Sequence, residues 1–302
     1  MSKRVLVAMS GGVDSSVAAL LLREQGYEVI GAHMKLWDYV DVGGDIYRDG
    51  RCCTLDSITD CRFVCDAIGA PFYVLNLSAH FRDTVIDNFV SEYRSGRTPN
   101  PCVRCNSDVK WNAFLRKAQE LGCKYIATGH YAFIEQGANG RYFVRKGNDA
   151  TRDQSYVLWG VTQDALSRTL MPLGGLLKSQ VREIAHQHGL RTAAKPESRE
   201  ICFVVDNNYR RFLNDFEQKR GRQFEPGEIV QGHADRVARR QMVPVEAGNI
   251  DIVDDVAVHD QQRFLGKMGH GLPQAAAGAE DERLVLEHYL RLIGQAAGDH
   301  PA

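Results

Sequence analysis

The 302-residue sequence has no excess of charge of either sign, since 37 Lys and Arg residues stand against 38 Asp and Glu and the formal net charge is −1 at pH 7. This balance argues against a strongly basic nucleic-acid-binding protein, so any contact with nucleic acid must come from local patches. No apolar run is long enough to span a membrane, and the N-terminal segment MSKRVLVAMS becomes polar too early for a signal peptide. We therefore expect a cytoplasmic protein that makes no membrane contact.

Two common phosphate-binding patterns are absent as well, because the sequence contains neither GxxxxGK[ST] nor GxGxxG. Residues 5–22 instead read VLVAMSGGVDSSVAALLL, which predicts a short buried strand, a loop at residues 10–12 and a helix from Val13. Gly11 and Gly12 have no side chains, so backbone N–H groups can approach an anion there, and the helix dipole favours negative charge at that end. The stretch predicts a phosphate site, although an isolated Gly-Gly pair is equally compatible with a tight turn.

The order of the predicted elements indicates an α/β protein. With 44% hydrophobic and 25% charged residues, the chain is expected to be globular and to contain two domains. Such alternation of strands and helices predicts an open parallel sheet flanked by helices, with ligands bound beyond the carboxyl ends of the strands. Ser10, Met34 and Gly129 fall at those ends and are expected to share one nucleotide pocket. The predicted strands are at residues 4–9, 28–34, 71–77 and 125–128, the predicted helices are at residues 57–68, 81–93, 111–121 and 178–189, and a hairpin is predicted at residues 137–149.

Eight cysteines in a chain expected to be cytoplasmic favour catalytic, metal-binding or buried thiols over structural disulfides. Cys102 and Cys105 lie in TPNPCVRCN (residues 98–106), whose two prolines predict a rigid loop rather than a regular helix or an inner strand. The alternative is half of a zinc site, but the sequence offers no second CxxC and no pair of histidines at ligand spacing. A thiol in this loop is expected to ionise more readily beside three nearby arginines, Arg94, Arg97 and Arg104.

The other cysteines of this region are open to two interpretations. Cys61 and Cys65 are one helical turn apart, a spacing that suits metal ligation but is just as common on an apolar helix face. We favour the structural interpretation for this pair and for Cys123. Cys52 and Cys53 have no assigned role.

The complete string SGGVDSS (residues 10–16) resembles the pyrophosphate-binding loop of ATP-pyrophosphatases, which cleave ATP between its α and β phosphates and adenylate an oxygen of their substrate. Five further segments are similar, in the same order, to motifs of the tRNA-specific 2-thiouridylases of the MnmA type. They are GRTPNPCVRCN (96–106), ATGHYA (127–132), DQSYVL (153–158), GGLLKSQVR (174–182) and EICFV (200–204). The resemblance covers residues 3–230 and implies an adenine nucleotide α-hydrolase-like PP-loop fold.

The resemblance also implies roles for individual residues. Cys105 corresponds to the family's nucleophile and Cys202 to the cysteine that receives a persulfide, and the two can pair as a disulfide during turnover. The implied ATP site consists of Ala8, Met9, Ser10, Gly11, Gly12, Val13, Asp14, Ser15, Met34 and Gly129. The implied contacts with the target base are Asn100, Pro101 and Cys102, and a further tRNA contact is implied for Arg152, Asp153 and Gln154.

The implied activity is that of a tRNA uridine 2-sulfurtransferase. ATP adenylates the C2 oxygen of the wobble uridine, while the loop and Mg²⁺ stabilise the charge of the pyrophosphate. Sulfur then comes from a persulfide on Cys202, which a sulfur-carrier protein or a cysteine desulfurase supplies. Cys105 either breaks the S–S bond after the attack on C2 or releases hydrosulfide before it, and the sequence leaves both routes open.

One position departs from the family, because many members carry aspartate where this chain has Cys102. No carboxylate role is therefore assigned there, and Cys102, Cys105 and Cys202 could together ligate a [4Fe-4S] cluster with one iron left to hold sulfide. Two other functions stay open. The chain could be a PP-loop ATP-pyrophosphatase that acts on another RNA or on a small molecule, or an inactive tRNA-binding relative.

We predict three regions along the chain. Residues 1–205 form the catalytic domain, residues 206–230 a basic, aromatic linker to a candidate tRNA-binding middle region, and residues 231–302 a smaller, divergent or truncated C-terminal region without a recognisable β-barrel. In the linker, YRRFLNDFEQKRGR (209–222) interleaves basic and aromatic residues, which could neutralise phosphates and cover a tRNA stem. An amphipathic helix with a solvated charged face is equally compatible with this pattern alone, but the family resemblance favours the tRNA contact. The basic residues are Arg210, Arg211, Lys219, Arg220 and Arg222, and the aromatic ones are Tyr209, Phe212 and Phe216.

Overall fold

The computed structural model describes residues 3–38, 42–43, 55–196 and 201–223. All of them fall within one compact unit, Met1–Pro244. Cys52 and Cys53, the predicted C-terminal region at residues 231–302 and the end of the predicted linker lie outside the described residues. Among the described residues, no helix combines the length and the apolar character that crossing a bilayer requires.

A parallel five-stranded sheet forms the centre of this unit, in the order β3-β2-β1-β4-β7. The chain first adds β2 and β3 on one side of β1 and then β4 and β7 on the other, so the strand order reverses between β1 and β4. A crevice at such a reversal is where open α/β sheets bind their ligands. The strands are β1 (Arg4–Met9), β2 (Glu28–Lys35), β3 (Phe72–Asn76), β4 (Tyr125–Ala127) and β7 (Thr169–Leu170), while β5 (Ala132–Gln136) and β6 (Tyr142–Lys146) form a separate antiparallel hairpin.

The helices alternate with the strands, as the sequence predicts. Two of the longer helical stretches contain π-helical turns, at Arg82–Ile86 and Cys105–Phe114, and two short 3₁₀ helices occur at Ser155–Leu158 and Arg191–Ala194. The α-helices are α1 (Val13–Glu24), α2 (Leu55–Ala67), α3 (Ser78–Phe81), α4 (Asp87–Arg94), α5 (Pro101–Arg104), α6 (Leu115–Glu120), α7 (Gln163–Ser167), α8 (Lys178–Gln187) and α9 (Tyr209–Gln218).

The hydrophobic core has two layers, one on each face of the sheet. In β1, Leu6 and Ala8 belong to one layer, and the alternate residues Val5, Val7 and Met9 belong to the other. All five are buried, as expected for a strand covered on both faces. The layer that contains Leu6 includes residues of α4, α6 and α9, and the opposite layer includes residues of α1, α2 and α8. The predicted open parallel sheet flanked by helices is therefore confirmed.

Two local predictions need correction. The loop predicted for residues 98–106 ends early, because α5 begins at Pro101 and the π-helical turn continues it from Cys105. Proline fits the first helical position, where its missing N–H has no intrahelical partner to lose, and the Asn100 side chain caps the helix by accepting a hydrogen bond from the Val103 N–H at 3.3 Å. The predicted hairpin also starts earlier than expected, since Gly137 begins its turn and Ala132–Gln136 is its first strand.

Candidate active site

The loop at residues 10–12 joins β1 to α1 at the reversal of strand order. Gly11 has a left-handed backbone conformation with φ of +75°, and a Cβ there would lie 2.6 Å from the carbonyl oxygen of Ser57. Glycine at this position therefore allows both the turn and the close approach of α2. Gly12 is the N-cap of α1 in an extended conformation, with φ of −97° and ψ of 166°.

Serine hydroxyls hold this loop in place from inside. The backbone N–H of Ser10 donates to Ser15 Oγ at 3.1 Å, and the hydroxyls of Ser15 and Ser16 donate to the Gly12 carbonyl at 3.1 and 2.9 Å. Both helical serines are buried, whereas Ser10 is exposed. The loop is thus preorganised, with its glycine backbone at the helix N-terminus, where the helix dipole favours an anion.

Of the other residues predicted to form the ATP site, Gly129 approaches this loop from β4. A Cβ on Gly129 would lie 2.8 Å from the backbone carbon of Asp14 and from the backbone nitrogen of Ser15, so only glycine permits this contact. Ala8, Met9 and Val13 are buried in the two core layers, and the side chain of Met34 in β2 belongs to the core as well.

Asp14, at the start of α1, is the centre of an ionic network that the sequence does not predict. Lys178 Nζ lies 2.7 Å from both carboxylate oxygens of Asp14, and the Tyr131 hydroxyl donates to one of them at 2.7 Å. Lys178 is 9% exposed, so its charge depends on this carboxylate. The first backbone N–H of its helix donates to Asp149, a carboxylate whose pKa is lowered by hydrogen bonds from Thr151 and from that N–H.

Lys178 and Tyr131 were not among the predicted site residues, although both lie in motifs that carry the family resemblance, GGLLKSQVR and ATGHYA. The only signal in the sequence is therefore their motif membership. A second lysine, Lys195, lies behind the loop: its Nζ is 2.8 Å from Asp60 and 3.5 Å from the Ser57 hydroxyl, and Ser57 is the residue that contacts Gly11.

The histidine of ATGHYA, His130, is buried beside the Trp111 ring, with 5.6 Å between ring centroids. Its Nδ1 lies 2.7 Å from the Thr128 hydroxyl. Burial, together with the nearby positive charge of Lys110, lowers the pKa of His130 well below its usual value. His130 is therefore neutral at physiological pH, and it is suited to hydrogen bonding rather than to charge compensation.

The segment predicted to meet the target base lies on α5 and just before it. Asn100 and Cys102 are exposed, Pro101 is buried and Cys105 is half-buried. The three arginines predicted to promote thiol ionisation each have a carboxylate partner: Arg94 pairs with Glu217, Arg97 with Glu92 at 2.5 Å and Arg104 with Asp108 at 3.4 Å. Their positive charge is thus partly compensated within the chain, and stronger ionisation of the thiol stays a prediction.

Cys202 is half-buried in a turn closed by a hydrogen bond from the Val204 N–H to the Ile201 carbonyl at 3.1 Å. The next residue, Phe203, anchors this turn in an aromatic cluster with Phe89, at 5.2 Å between centroids. Cys105 and Cys202 both pack against the core layer that contains Phe89. The two predicted catalytic thiols therefore border the same side of the sheet.

Three further cysteines within the described residues are buried thiols, in agreement with the structural interpretation. Cys61, Cys65 and Cys123 are buried, and burial raises the pKa of Cys61 and Cys65 to about 12 and that of Cys123 to about 11. No group of three or more His, Cys, Asp or Glu side chains among the described residues is arranged to hold a metal ion. A [4Fe-4S] cluster on Cys102, Cys105 and Cys202 stays a hypothesis.

Residues of the predicted tRNA contact at 152–154 form hydrogen bonds with neighbouring segments of the chain. Gln154 exchanges two hydrogen bonds with the backbone of Tyr131, both at 3.2 Å. Asp153 accepts hydrogen bonds from the backbone of Gly147 and from both the N–H and the hydroxyl of Ser155. Arg152 is half-buried. These bonds orient the segment rigidly beside the hairpin.

The predicted basic, aromatic linker is an amphipathic helix, α9, packed on the core. Phe212 and Phe216 are buried, and Tyr209 stacks on Tyr93 at 5.2 Å, so these rings do not offer free faces to RNA. Its charges are paired as well: Arg211 contacts Asp206 and Asp215, Arg220 contacts Asp87, and Arg222 contacts Glu217. The segment is thus an amphipathic helix, and a contact of its charged face with tRNA stays a prediction.

The sheet order and the loop at its reversal define a nucleotide-binding α/β domain of the PP-loop class. Residues 3–206 match the family model described as "tRNA methyl transferase HUP domain". A "tRNA-specific 2-thiouridylase MnmA" of Cytophaga hutchinsonii is 44% identical over 308 residues, which cover 97% of this chain and 82% of that protein. The chain therefore belongs to the MnmA family of tRNA-specific 2-thiouridylases.

Other comparisons extend over less of each protein. Proteins of the same name from Amoebophilus asiaticus and Geotalea uraniireducens are 56% and 54% identical, in each case over 76% of this chain. The chain spans 63% and 60% of the lengths of these two relatives. Among solved structures, a 4-thiouridine synthetase–RNA complex with bound ATP has a TM-score of 0.41 at 16% identity, and it covers 70% of this chain and 50% of that one.

Proposed function

We propose that this protein is an ATP-dependent tRNA uridine 2-sulfurtransferase. The observation that carries the proposal is the preorganised SGGVDSS loop at the reversal of strand order, in a chain that belongs to the MnmA family. The loop supports a nucleotide as ligand, and the two half-buried cysteines on one core layer support sulfur transfer. The relatives' name supports tRNA as the substrate.

ATP would bind with its phosphates at the N-terminus of α1. The backbone of Gly11 and Gly12 and the hydroxyl of Ser10 offer donors there, and Gly129 lets the chain after β4 pack closely against the start of the helix. Lys178 already binds Asp14 at the start of the helix, so its ammonium group is close enough to pair with the negative charge of the phosphates. When a phosphate arrives, Lys178 can pair with it while Asp14 becomes available to a cation.

Mg²⁺ suits this arrangement. Nucleotide sites hold Mg²⁺ with one or two carboxylates together with the phosphates, and Asp14 supplies such a carboxylate at the loop. When bound, the ion neutralises charge on the leaving pyrophosphate. The chain's own contribution is to orient Asp14 through Tyr131 and Lys178.

We propose that the two thiols transfer sulfur in three steps. A persulfide donor transfers its outer sulfur to Cys202 and leaves as a thiolate. The terminal sulfur of the Cys202 persulfide attacks C2 of the adenylated uridine and expels AMP. The Cys105 thiolate then attacks the Cys202 sulfur, so that the new sulfur remains on the base and a Cys105–Cys202 disulfide forms. A thiol reductant must reduce this disulfide before the next turnover.

The donor is proposed to be a sulfur-carrier protein or a cysteine desulfurase. The other order of events, in which Cys105 attacks the persulfide first and releases hydrosulfide, produces the same disulfide. A pre-steady-state trap distinguishes them, because only the first order passes through a covalent link between tRNA and Cys202. A cytoplasmic location stays a prediction.

The test is to incubate the full chain with unmodified tRNA that carries a wobble uridine, with ATP, Mg²⁺ and a persulfide source, and to measure 2-thiouridine by mass spectrometry. We expect product from the wild type and from Cys123→Ala, a buried cysteine outside the mechanism, but not from Cys105→Ser or Cys202→Ser. ATP binding should be unchanged in both serine variants. A folded, ATP-binding wild type that makes no 2-thiouridine would contradict the proposal and favour an ATP-pyrophosphatase with another substrate.

A further inference from the structure

One surface segment exposes its largest apolar side chains and buries its smaller ones. In and after the 3₁₀ helix Ser155–Leu158, Val157 and Leu158 are 5% and 1% exposed, whereas Tyr156 and Trp159 are 39% and 59% exposed. The other two tryptophans of the chain, Trp37 and Trp111, are buried. Two large rings three residues apart in the chain and both exposed indicate a binding role, because burial would otherwise stabilise them.

The segment is held rigidly in place. Asp153 accepts the Ser155 N–H and hydroxyl at 3.2 and 2.8 Å, and Gln154 is bound to the backbone of Tyr131 on both its main chain and its side chain. Gly160, which follows Trp159, packs closely on the π-helical turn, because a Cβ there would overlap the Ser107 hydroxyl. A surface that is already ordered loses little conformational entropy when it binds a ligand.

The aromatic pair lies next to the segment proposed to meet the target base. The 3₁₀ helix packs on α5, which carries Cys102, and on the π-helical turn that starts at Cys105. Burial raises the pKa of the Tyr156 hydroxyl, and negative charge on Cys102 raises it further, in agreement with this proximity. The same region carries two arginines with largely solvated side chains, Arg97 and Arg104, which are 61% and 49% exposed.

We propose that Tyr156 and Trp159 form a stacking surface for unpaired bases of the RNA substrate that adjoin the target uridine. The proposal rests on the proposed function, since it assumes an RNA substrate. Proteins recognise single-stranded RNA by stacking splayed bases on aromatic rings, with basic side chains on the backbone phosphates. Arg104 and Arg97 can supply that charge if phosphates take the place of their carboxylate partners, Asp108 and Glu92, which lie on the same exposed surface as the arginines. A double-stranded stem has no free base faces and would not use this surface.

In the test, a base stacked on Trp159 quenches part of the intrinsic fluorescence of the full chain. The buried Trp37 and Trp111 also emit, but a base cannot contact them directly, and the Trp159→Ala variant measures that background. The probe is an unmodified anticodon stem–loop with a wobble uridine, and the comparison ligand is the paired stem alone. We expect the stem–loop to quench the wild type and the stem to leave it unchanged. By anisotropy of a labelled stem–loop, Trp159→Ala and Tyr156→Ala should each raise Kd about five- to hundredfold.

Phe63→Ala is the matched control, because Phe63 is 48% exposed but lies on α2, on the opposite face of the sheet. It should leave the Kd for the stem–loop unchanged, and ATP affinity should be equal in all variants. Equal stem–loop affinity in wild type, Trp159→Ala and Tyr156→Ala would overturn the stacking proposal. So would resistance of Trp159 to acrylamide quenching in the free protein, because another part of the chain would then cover the ring.

The 2-thiouridine assay separates failure of this proposal from failure of the proposed function. If wild type and Trp159→Ala thiolate tRNA with the same KM, the function stands and the stacking surface is wrong. If wild type binds ATP but neither binds the stem–loop nor makes 2-thiouridine, the proposed function fails and the stacking surface fails with it. Support requires a higher KM for tRNA in the variant, with little change in kcat.

Discussion

Substitution of the loop glycines separates a role in folding from a role in phosphate binding. Gly12 has an ordinary extended backbone, and the nearest atom to a Cβ placed there is Ser10 Oγ at 3.5 Å, which is a normal van der Waals distance. Gly12→Ala should therefore be accommodated by the folded chain. The lost freedom of the unfolded chain contributes about 0.4–1 kcal/mol of stability, and the poorer N-cap costs a similar amount.

Gly11→Ala should behave differently. With φ of +75°, alanine costs about 1–2 kcal/mol in backbone conformation. Its Cβ would also lie 2.6 Å from the Ser57 carbonyl oxygen and 2.8 Å from the Ser57 Cα, an overlap with backbone that costs about 1–3 kcal/mol more. We therefore expect Gly11→Ala to lower the free energy of unfolding by roughly 2–5 kcal/mol, and Gly12→Ala to change it by less than about 0.5 kcal/mol.

We expect substitution of Gly12 to lower ATP affinity while leaving stability nearly unchanged. A methyl group at the N-cap would occupy the space through which phosphates reach the backbone N–H groups, so Gly12→Ala should weaken ATP binding at least about tenfold, or roughly 1.4 kcal/mol. The control is Gly175→Ala, where the nearest atom would be Phe133 Cζ at 3.7 Å. It should leave ATP affinity unchanged and raise stability by no more than about 0.4–1 kcal/mol.

The measurements are urea unfolding without nucleotide and calorimetric titration with ATP and Mg²⁺. The reasoning is refuted if Gly12→Ala binds ATP as tightly as wild type, because the glycine would then serve only the turn. It is also refuted if Gly11→Ala is as stable as wild type, because the contact with Ser57 would then carry no energetic consequence.

Three further predictions concern buried ionisable groups. In a double-mutant cycle of Lys178→Met and Asp14→Asn, urea unfolding should give a coupling free energy of about 1–2 kcal/mol, because the lysine is buried and the carboxylate is partly solvated. Additive effects of the two substitutions would contradict a stabilising ion pair. Because the pKa of His130 is depressed, the unfolded chain takes up a proton at this residue before the folded chain does as pH falls below about 6.5. Stability should therefore drop by up to about 1.4 kcal/mol per pH unit, and His130→Gln should remove this loss. An unchanged slope in the variant would show that the histidine is solvated. The pKa of Cys61 and Cys65 is raised to about 12, so stability should be retained below pH about 9 and lost progressively above it as the unfolded thiols ionise. Cys65→Ala should reduce the slope of this loss. Reaction of these thiols with iodoacetamide in the native protein at neutral pH would contradict their burial.

Much of the fold followed from local sequence patterns. Short apolar runs such as residues 4–9 correspond to buried strands, because a strand covered on both faces has no polar side to display. The Gly-Gly pair was assigned to the turn between strand and helix on conformational grounds, and Gly11 has the left-handed backbone that requires glycine. The loop predicted at residues 98–106 was wrong because proline, which breaks a helix interior, is favourable at the first helical position that Pro101 occupies.

The sequence by itself determined the order of strands and helices, the glycine turn between β1 and α1 and the motifs that characterise the family, because backbone propensity, period and motif chemistry are properties of neighbouring residues. Only the tertiary structure decided that Lys178 meets Asp14, 164 residues away, and that the rings of Phe212 and Phe216 face the core while Trp159 faces solvent. The periodicity of a segment shows that it has an apolar face, but burial and charge pairing depend on the surface packed against that face, which distant parts of the chain supply.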